Sequence, residues 1–233
     1  MVNYMALLVD TIVCQLLRTK FYLLVLVVIM VSCKKDVKIV ETETLPFYNT
    51  ATFEAEWIKK EDPNYNKIHK IAPFSLLNQL GDTITNQSLK NSIYVTNFFF
   101  TTCSGICPKM TNNLEKLQQK YKDNDKIKLL SLSVTPWIDS VAVLKQYGIN
   151  HNINASKWYL LTGPKEAIYT LARKSFFAEK TLGLQKSNDE FLHTESMLLI
   201  DTQGRIRGIY NATQVVDLER ISEDIEVLIK EKY

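Results

Sequence analysis

SIYVTNFFFTTCSGICPKM, residues 92–110, carries the fold's clearest signal. Its first nine residues, SIYVTNFFF, are rich in β-branched and aromatic side chains and hold no charge. Such a run reads as a central strand, apolar on both faces. Past Pro108 the period changes. Met110, Leu114, Leu117 and Tyr121 recur at helical spacing, with Lys and Gln between them. Proline is most comfortable in the first helical turn, so Cys107 falls at or near a helix N-terminus and Cys103 in the loop before it. Two cysteines four apart at a strand-to-helix junction admit three readings: a disulfide staple, a redox pair, or half of a metal site.

Working outward, IKLLSLSV (127–134) reads as a second buried strand and 138–147 as a helix closed by Gly148. KWYLLTG (157–163) is a strand, and Pro164 opens a helix that runs to about Lys174. Residues 178–190 form a polar loop. SMLLID and RIRGIY flank a Thr202-Gln203-Gly204 turn and pair as a hairpin. Val215, Leu218, Ile221, Ile225 and Leu228 draw the stripe of a last helix, with Thr213 as its N-cap. Upstream, IAPFSLLNQLGDTIT (71–85) makes two short strands around a turn at 79–82, where Gly81 is free to take positive φ. Strands connected by helices run parallel, and the late pair is antiparallel. The expected fold is α/β and thioredoxin-like: a mixed central sheet flanked by helices, with an N-terminal hairpin and an inserted loop before the C-terminal hairpin.

A chain of 233 residues accommodates one domain with appendages and a sizeable core. The net charge is only +3 and the basic residues are dispersed. Without a basic stripe interleaved with aromatics, nucleic acid is not an expected partner. FYLLVLVVIMVS (21–32) is an unbroken apolar run, preceded by Arg18 and Lys20 and followed at once by Cys33. This is the pattern of a secretory signal, and it is short of the ~20 residues of a spanning helix. A cysteine directly after Val31-Ser32 is similar to a bacterial lipobox, which implies cleavage before Cys33 and lipidation of its sulfur. The alternative is an uncleaved signal anchor with an incidental cysteine. Either way the body lies outside the cytoplasm, tied to a membrane. The expected division is 1–33 signal and lipobox, 34–66 tether, and 67–233 folded domain, with the tether becoming ordered near Phe53 and Trp57.

Cys14 and Cys33 lie in the tail, so the body holds one cysteine pair, too few for a disulfide scaffold. A loop this short gains little by closing, which weighs against an inert staple. At a helix N-terminus, unpaired N–H groups and the positive dipole end favour a thiolate, the species that is both nucleophile and metal ligand. Gly105 is expected to let the loop fold back so that the sulfurs face one point. Thioredoxin-type redox sites have two intervening residues and this chain has three, so the spacing leaves the redox and metal readings open. His69 and His151 read as ordinary surface or core histidines. His193 opens the strand that begins near Ser196, a neighbour in such a sheet of the strand ending at Phe100. Two thiolates and an imidazole suit Cu(I).

FFFTTCSGICPKM, SLSVTPWIDSVAVLKQYG, WYLLTGPKEAIYTLAR and FLHTESMLLIDTQGRIRGIY together resemble, in order, successive segments of the Sco/SenC family. These are copper-binding, thioredoxin-like proteins that assist assembly of the copper A centre of cytochrome c oxidase. The resemblance extends from about Ile68 to the C-terminus. It implies copper, as Cu(I) with Cu(II) as a second state, held by Cys103, Cys107 and His193. It further implies delivery to the oxidase's copper A subunit by a monomer, lipid-anchored to a bacterial cell membrane and facing the periplasm. One position departs: Thr135 stands where the family commonly has an aspartate, and Asp139 matches the segment's second aspartate. The departure puts in doubt a carboxylate serving as a Cu(II) ligand or at the partner interface. The competing function is a thiol–disulfide oxidoreductase that uses Cys103 and Cys107 as its catalytic pair, needs no His193, and keeps a target's cysteines reduced. A thiol peroxidase is disfavoured, because Phe100 occupies the place of its threonine three residues before the reactive cysteine. A plain binding module with a disulfide is the remaining reading.

Overall fold

The structure, a computed structural model, describes residues 44–178 and 195–231. A hairpin of β1 (Ser75–Leu77) and β2 (Thr83–Thr85) comes first, then β3 (Ile93–Phe99), α1 (Cys107–Lys120), β4 (Ile127–Ser133), α2 (Val141–Asn150), β5 (Trp158–Leu161) and α3 (Lys165–Lys174). β6 (Ser196–Ile200), β7 (Ile206–Asn211) and α4 (Val215–Lys230) complete the order. The main sheet runs β5-β4-β3-β6-β7. β3 pairs parallel with β4, and β4 with β5; β6 is antiparallel to both β3 and β7. The mixed sheet expected from sequence is therefore the observed one.

All seven residues of β3 are buried, as its unbroken apolar character requires of a strand covered on both faces. On one face Ile93, Val95 and Phe99 join Met110, Leu114 and Leu117 of α1 and Ile221, Ile225 and Leu228 of α4. On the other, Tyr94 and Phe98 meet Ile168, Leu171 and Ala172 of α3 and the hairpin's Leu76 and Ile84. In β3–β4 Phe99 stands opposite Ser133, and in β3–β6 Asn97 stands opposite Met197. One end of the sheet thus gathers the C-terminal ends of β3 and β4 and the start of β6.

Three helix boundaries differ from the sequence reading. α2 begins after the N-cap Ser140, whose hydroxyl accepts from the Val143 N–H, and Ile138 belongs to the preceding turn. Gly148 lies inside α2 and does not close it. Asn152, at φ 52°, ends it: the Asn152 N–H reaches the Ile149 carbonyl and the Ile153 N–H reaches that of Gly148. This is a Schellman stop built on asparagine. The N-cap of α4 is Gln214, whose side chain makes no capping bond, while the Thr213 hydroxyl donates to Asn211. The expected turn glycine, Gly81, does take positive φ, at 87°.

The chain from Thr44 packs on the body. Phe47 is 3% exposed and bridges to Glu56, and the Tyr48 N–H donates to the Ile206 carbonyl. Arg207, 1% exposed, donates to the carbonyls of Leu45 and Pro46 and pairs with Asp201 and Glu231. Arg205 pairs with Asp201 at 2.7 Å, and both guanidiniums lie over the Phe47 ring. The apolar run 21–32 and Cys33 lie outside the described residues, as does nearly all of the expected loop 178–190.

Candidate metal centre

β3 ends at Phe99, and a turn closed by the Cys103 N–H on the Phe100 carbonyl (3.3 Å) begins the loop. Ile106 caps α1, so Cys107 is its first residue and Pro108 its second. That is the placement expected from the proline. Cys103 is half-buried and Cys107 is 4% exposed; neither is in a disulfide. Gly105 does not use its freedom. It has no positive φ, and an added Cβ would meet nothing within 4 Å. The sulfurs are brought together by the strand-to-helix turn itself.

The two thiols are not equivalent. Burial works against ionisation of Cys103, but the Cys107 thiol and the N–H groups of Cys107, Gly105 and Ile106 outweigh it and hold Cys103 below the ordinary thiol range. Cys107 is pushed up to about 12, first by burial, then because its S–H is engaged by Cys103 and faces that residue's charge; the Phe100 backbone partly opposes this. The helix N-terminus was expected to favour a thiolate, and it does so at Cys103. The N–H groups of Gly105, Ile106 and Cys107 reach the Cys103 sulfur, whereas at Cys107 burial and the neighbouring thiol outweigh the backbone donors.

Tyr147 of α2 walls the site. Its ring packs on Phe99 at 5.4 Å and its hydroxyl bonds Thr111 at 2.8 Å. Burial raises its pKa, with smaller contributions from charge on the two cysteines and Asp139. His151, at the end of α2, stacks on Tyr147, while His69 bonds the Ser175 carbonyl and stacks on Phe177. His193 lies outside the described residues. Among the described residues no group of three Cys, His, Asp or Glu side chains is placed to hold a metal. The structure therefore brings together Cys103 and Cys107 of the expected set.

Asp139 is fully buried and its carboxylate is filled by donors. It accepts from the Thr101 N–H (3.3 Å), the Thr101 hydroxyl (2.5 Å), the Ser133 hydroxyl (2.5 Å) and the Thr135 hydroxyl (3.1 Å). Thr135, the position that departs from the expected aspartate, turns its hydroxyl to this carboxylate. Thr101 lies in the quoted stretch FFFTTCSGICPKM, but nothing in the sequence showed that its partner lies 38 residues on. Two convergent thiols, one biased to the thiolate, fit a soft monovalent cation better than a hard one.

A thioredoxin-like sheet with a reduced cysteine pair at its strand-to-helix junction, one sulfur half-exposed and the other buried, defines the class. Within it, the SCO1/SenC family profile matches residues 62–230, and the chain belongs to that family. It is 31% identical over 160 residues to the SCO1 protein homolog of Bacillus subtilis, covering 68% of this chain and 82% of that one. The solved structure of a SCO1/SenC family lipoprotein from Bacillus anthracis has a TM-score of 0.61 at 28% identity, over 74% of this chain and all of that one. BsSco, described as a member of the Sco family of cytochrome c oxidase assembly proteins and carrying a disulfide switch, has a TM-score of 0.59 at 28% identity, over 70% and 95%. ScoI of Bradyrhizobium japonicum, solved with copper bound, shares the fold at a TM-score of 0.54 and 24% identity, over 67% and 98%.

Proposed function

We propose that the protein is a membrane-anchored copper chaperone. It carries Cu(I) on Cys103, Cys107 and His193 and delivers it to the copper A subunit of cytochrome c oxidase. The observation that carries the reading is the thiol pair: Cys103 half-exposed and biased toward the thiolate, hydrogen-bonded to Cys107 at the first residue of α1. A cargo ion must be held by soft ligands yet reachable by an incoming ligand, and half-exposure of Cys103 meets the second need. Family membership and the copper-bound ScoI relative support copper as the cargo. His193 enters as third ligand from the family resemblance, supported by the start of β6 lying at the same end of the sheet as the end of β3. Lipidation of Cys33, and a position on the periplasmic face of a bacterial membrane, rest on the sequence at 21–33 and on the lipoprotein relative.

Cu(I) titration of the reduced full chain in detergent tests this reading. Wild type takes up one Cu(I), and Cys103→Ala does not retain it. His193→Ala loses stoichiometric binding; unchanged retention removes His193 from the ligand set. The second reading, a thiol–disulfide oxidoreductase acting on a target's cysteines, is favoured by the unequal thiols, because a reactive and a resolving sulfur are what exchange chemistry needs. It survives the loss of His193, whereas the copper reading does not.

A further inference from the structure

We propose that Asp139 is a positioning residue for the thiol pair. Through Thr101 its carboxylate fixes the loop that presents Cys103, in support of the copper site proposed above. Both hydrogen bonds from Thr101 leave the loop and end on this one side chain, the N–H on one oxygen and the hydroxyl on the other. Asp139 is itself held from two further places, Ser133 at the end of β4 and Thr135 in the turn after it. A carboxylate buried to 0% exposure is costly unless donors fill it. Here the donors come from the cysteine loop, the strand beside it and the turn that leads to α2. The bonds to Thr101 act two residues before Cys103, so they fix the backbone and the side chain of the loop just ahead of that sulfur. A site of this type works only when its ligands are held to a fraction of an ångström, which a loop without such an anchor does not achieve.

The test uses the reduced full chain in detergent, as wild type, Asp139→Asn, Thr101→Val and Thr101→Ser. The first readout is equilibrium with glutathione. The Cys103–Cys107 dithiol gives two electrons and two protons to glutathione disulfide, so that one intramolecular S–S bond forms, the glutathione S–S bond breaks and two glutathione thiols are released. The second is retention of Cu(I) against bicinchoninate. A loosened loop lowers the sulfurs' effective concentration, so Thr101→Val and Asp139→Asn reduce the disulfide-forming equilibrium constant about tenfold. Thr101→Ser, which keeps both donors, stays within about twofold of wild type on the same scale. Copper retention falls in the same order. If Asp139→Asn does not fold, the Val and Ser pair at Thr101 decides. A glutathione equilibrium unmoved in the variants that fold, with only their unfolding midpoints lowered, overturns the proposal and leaves Asp139 as a stabiliser of the fold. A wild type that retains no Cu(I) while its variants still shift the glutathione equilibrium sinks the copper reading and leaves the positioning role standing.

Discussion

An unperturbed thiol titrates near 8.5, so at neutral pH only a few per cent of it is thiolate. Cys103 sits below that range and is half-exposed; Cys107 is buried and pushed up to about 12. Iodoacetamide is therefore expected to label Cys103 first. The depressed group keeps its thiolate at pH values where an ordinary thiol is protonated, so the labelling advantage of Cys103 over free cysteine grows as pH falls from 8 to 6. Peptide mass spectrometry over a time course checks both points, and faster labelling of Cys107 would contradict the asymmetry. Sequence spacing identified both cysteines but not which one is biased toward the thiolate. That depends on where the amides of Gly105, Ile106 and Cys107 point.

At the scale of elements, buried strands and amphipathic helices were legible because their periodicities of 2 and 3.6 are written residue by residue. Helix ends were less so. Gly148 has the residue type of a helix stop yet sits within α2, and Asn152 takes the left-handed conformation in its place. Gln118 shows why: its side chain accepts from the Asn154 N–H and donates to the Asn152 carbonyl, so a contact from α1 holds the chain beyond the stop. Asn152→Ala is expected to destabilise the protein by about 1 kcal/mol, because alanine tolerates this φ poorly. Urea unfolding measures it; an unchanged midpoint would show that the helix ends equally well another way.

Over the whole molecule, the first described residues are fastened by charges at the far edge of the sheet. Asp201 is fully buried and accepts from Arg205 and Arg207, and Arg207 also holds the Leu45 and Pro46 carbonyls. Asp201→Ala leaves two buried guanidiniums short of their carboxylate, and the expected loss is about 3–5 kcal/mol. The urea midpoint should fall accordingly, while Cu(I) retention by the folded fraction stays at the wild-type value. A parallel loss of copper retention would tie this edge to the site. Sequence composition showed Arg205 and Arg207 as two basic residues in a strand. Their burial follows from the 44–48 segment lying across β7, a contact between residues about 160 apart.

The amino-acid order alone determined the strand-to-helix junction at 92–110, the α/β class, the parallel and antiparallel halves of the sheet, and the two cysteines at the helix start. These follow from local periodicity, from proline's fixed φ, and from the rule that helices connect parallel strands. Only the tertiary structure decided that Cys103 is the thiolate-biased sulfur, that Thr135 and Thr101 converge on a buried Asp139, and that the Thr44–Tyr48 segment belongs to the packed body. The first depends on where the neighbouring amides of Gly105, Ile106 and Cys107 point; the other two depend on groups far apart in the chain meeting in a place where water is excluded. There burial and directed hydrogen bonds, rather than residue type, set what a side chain does.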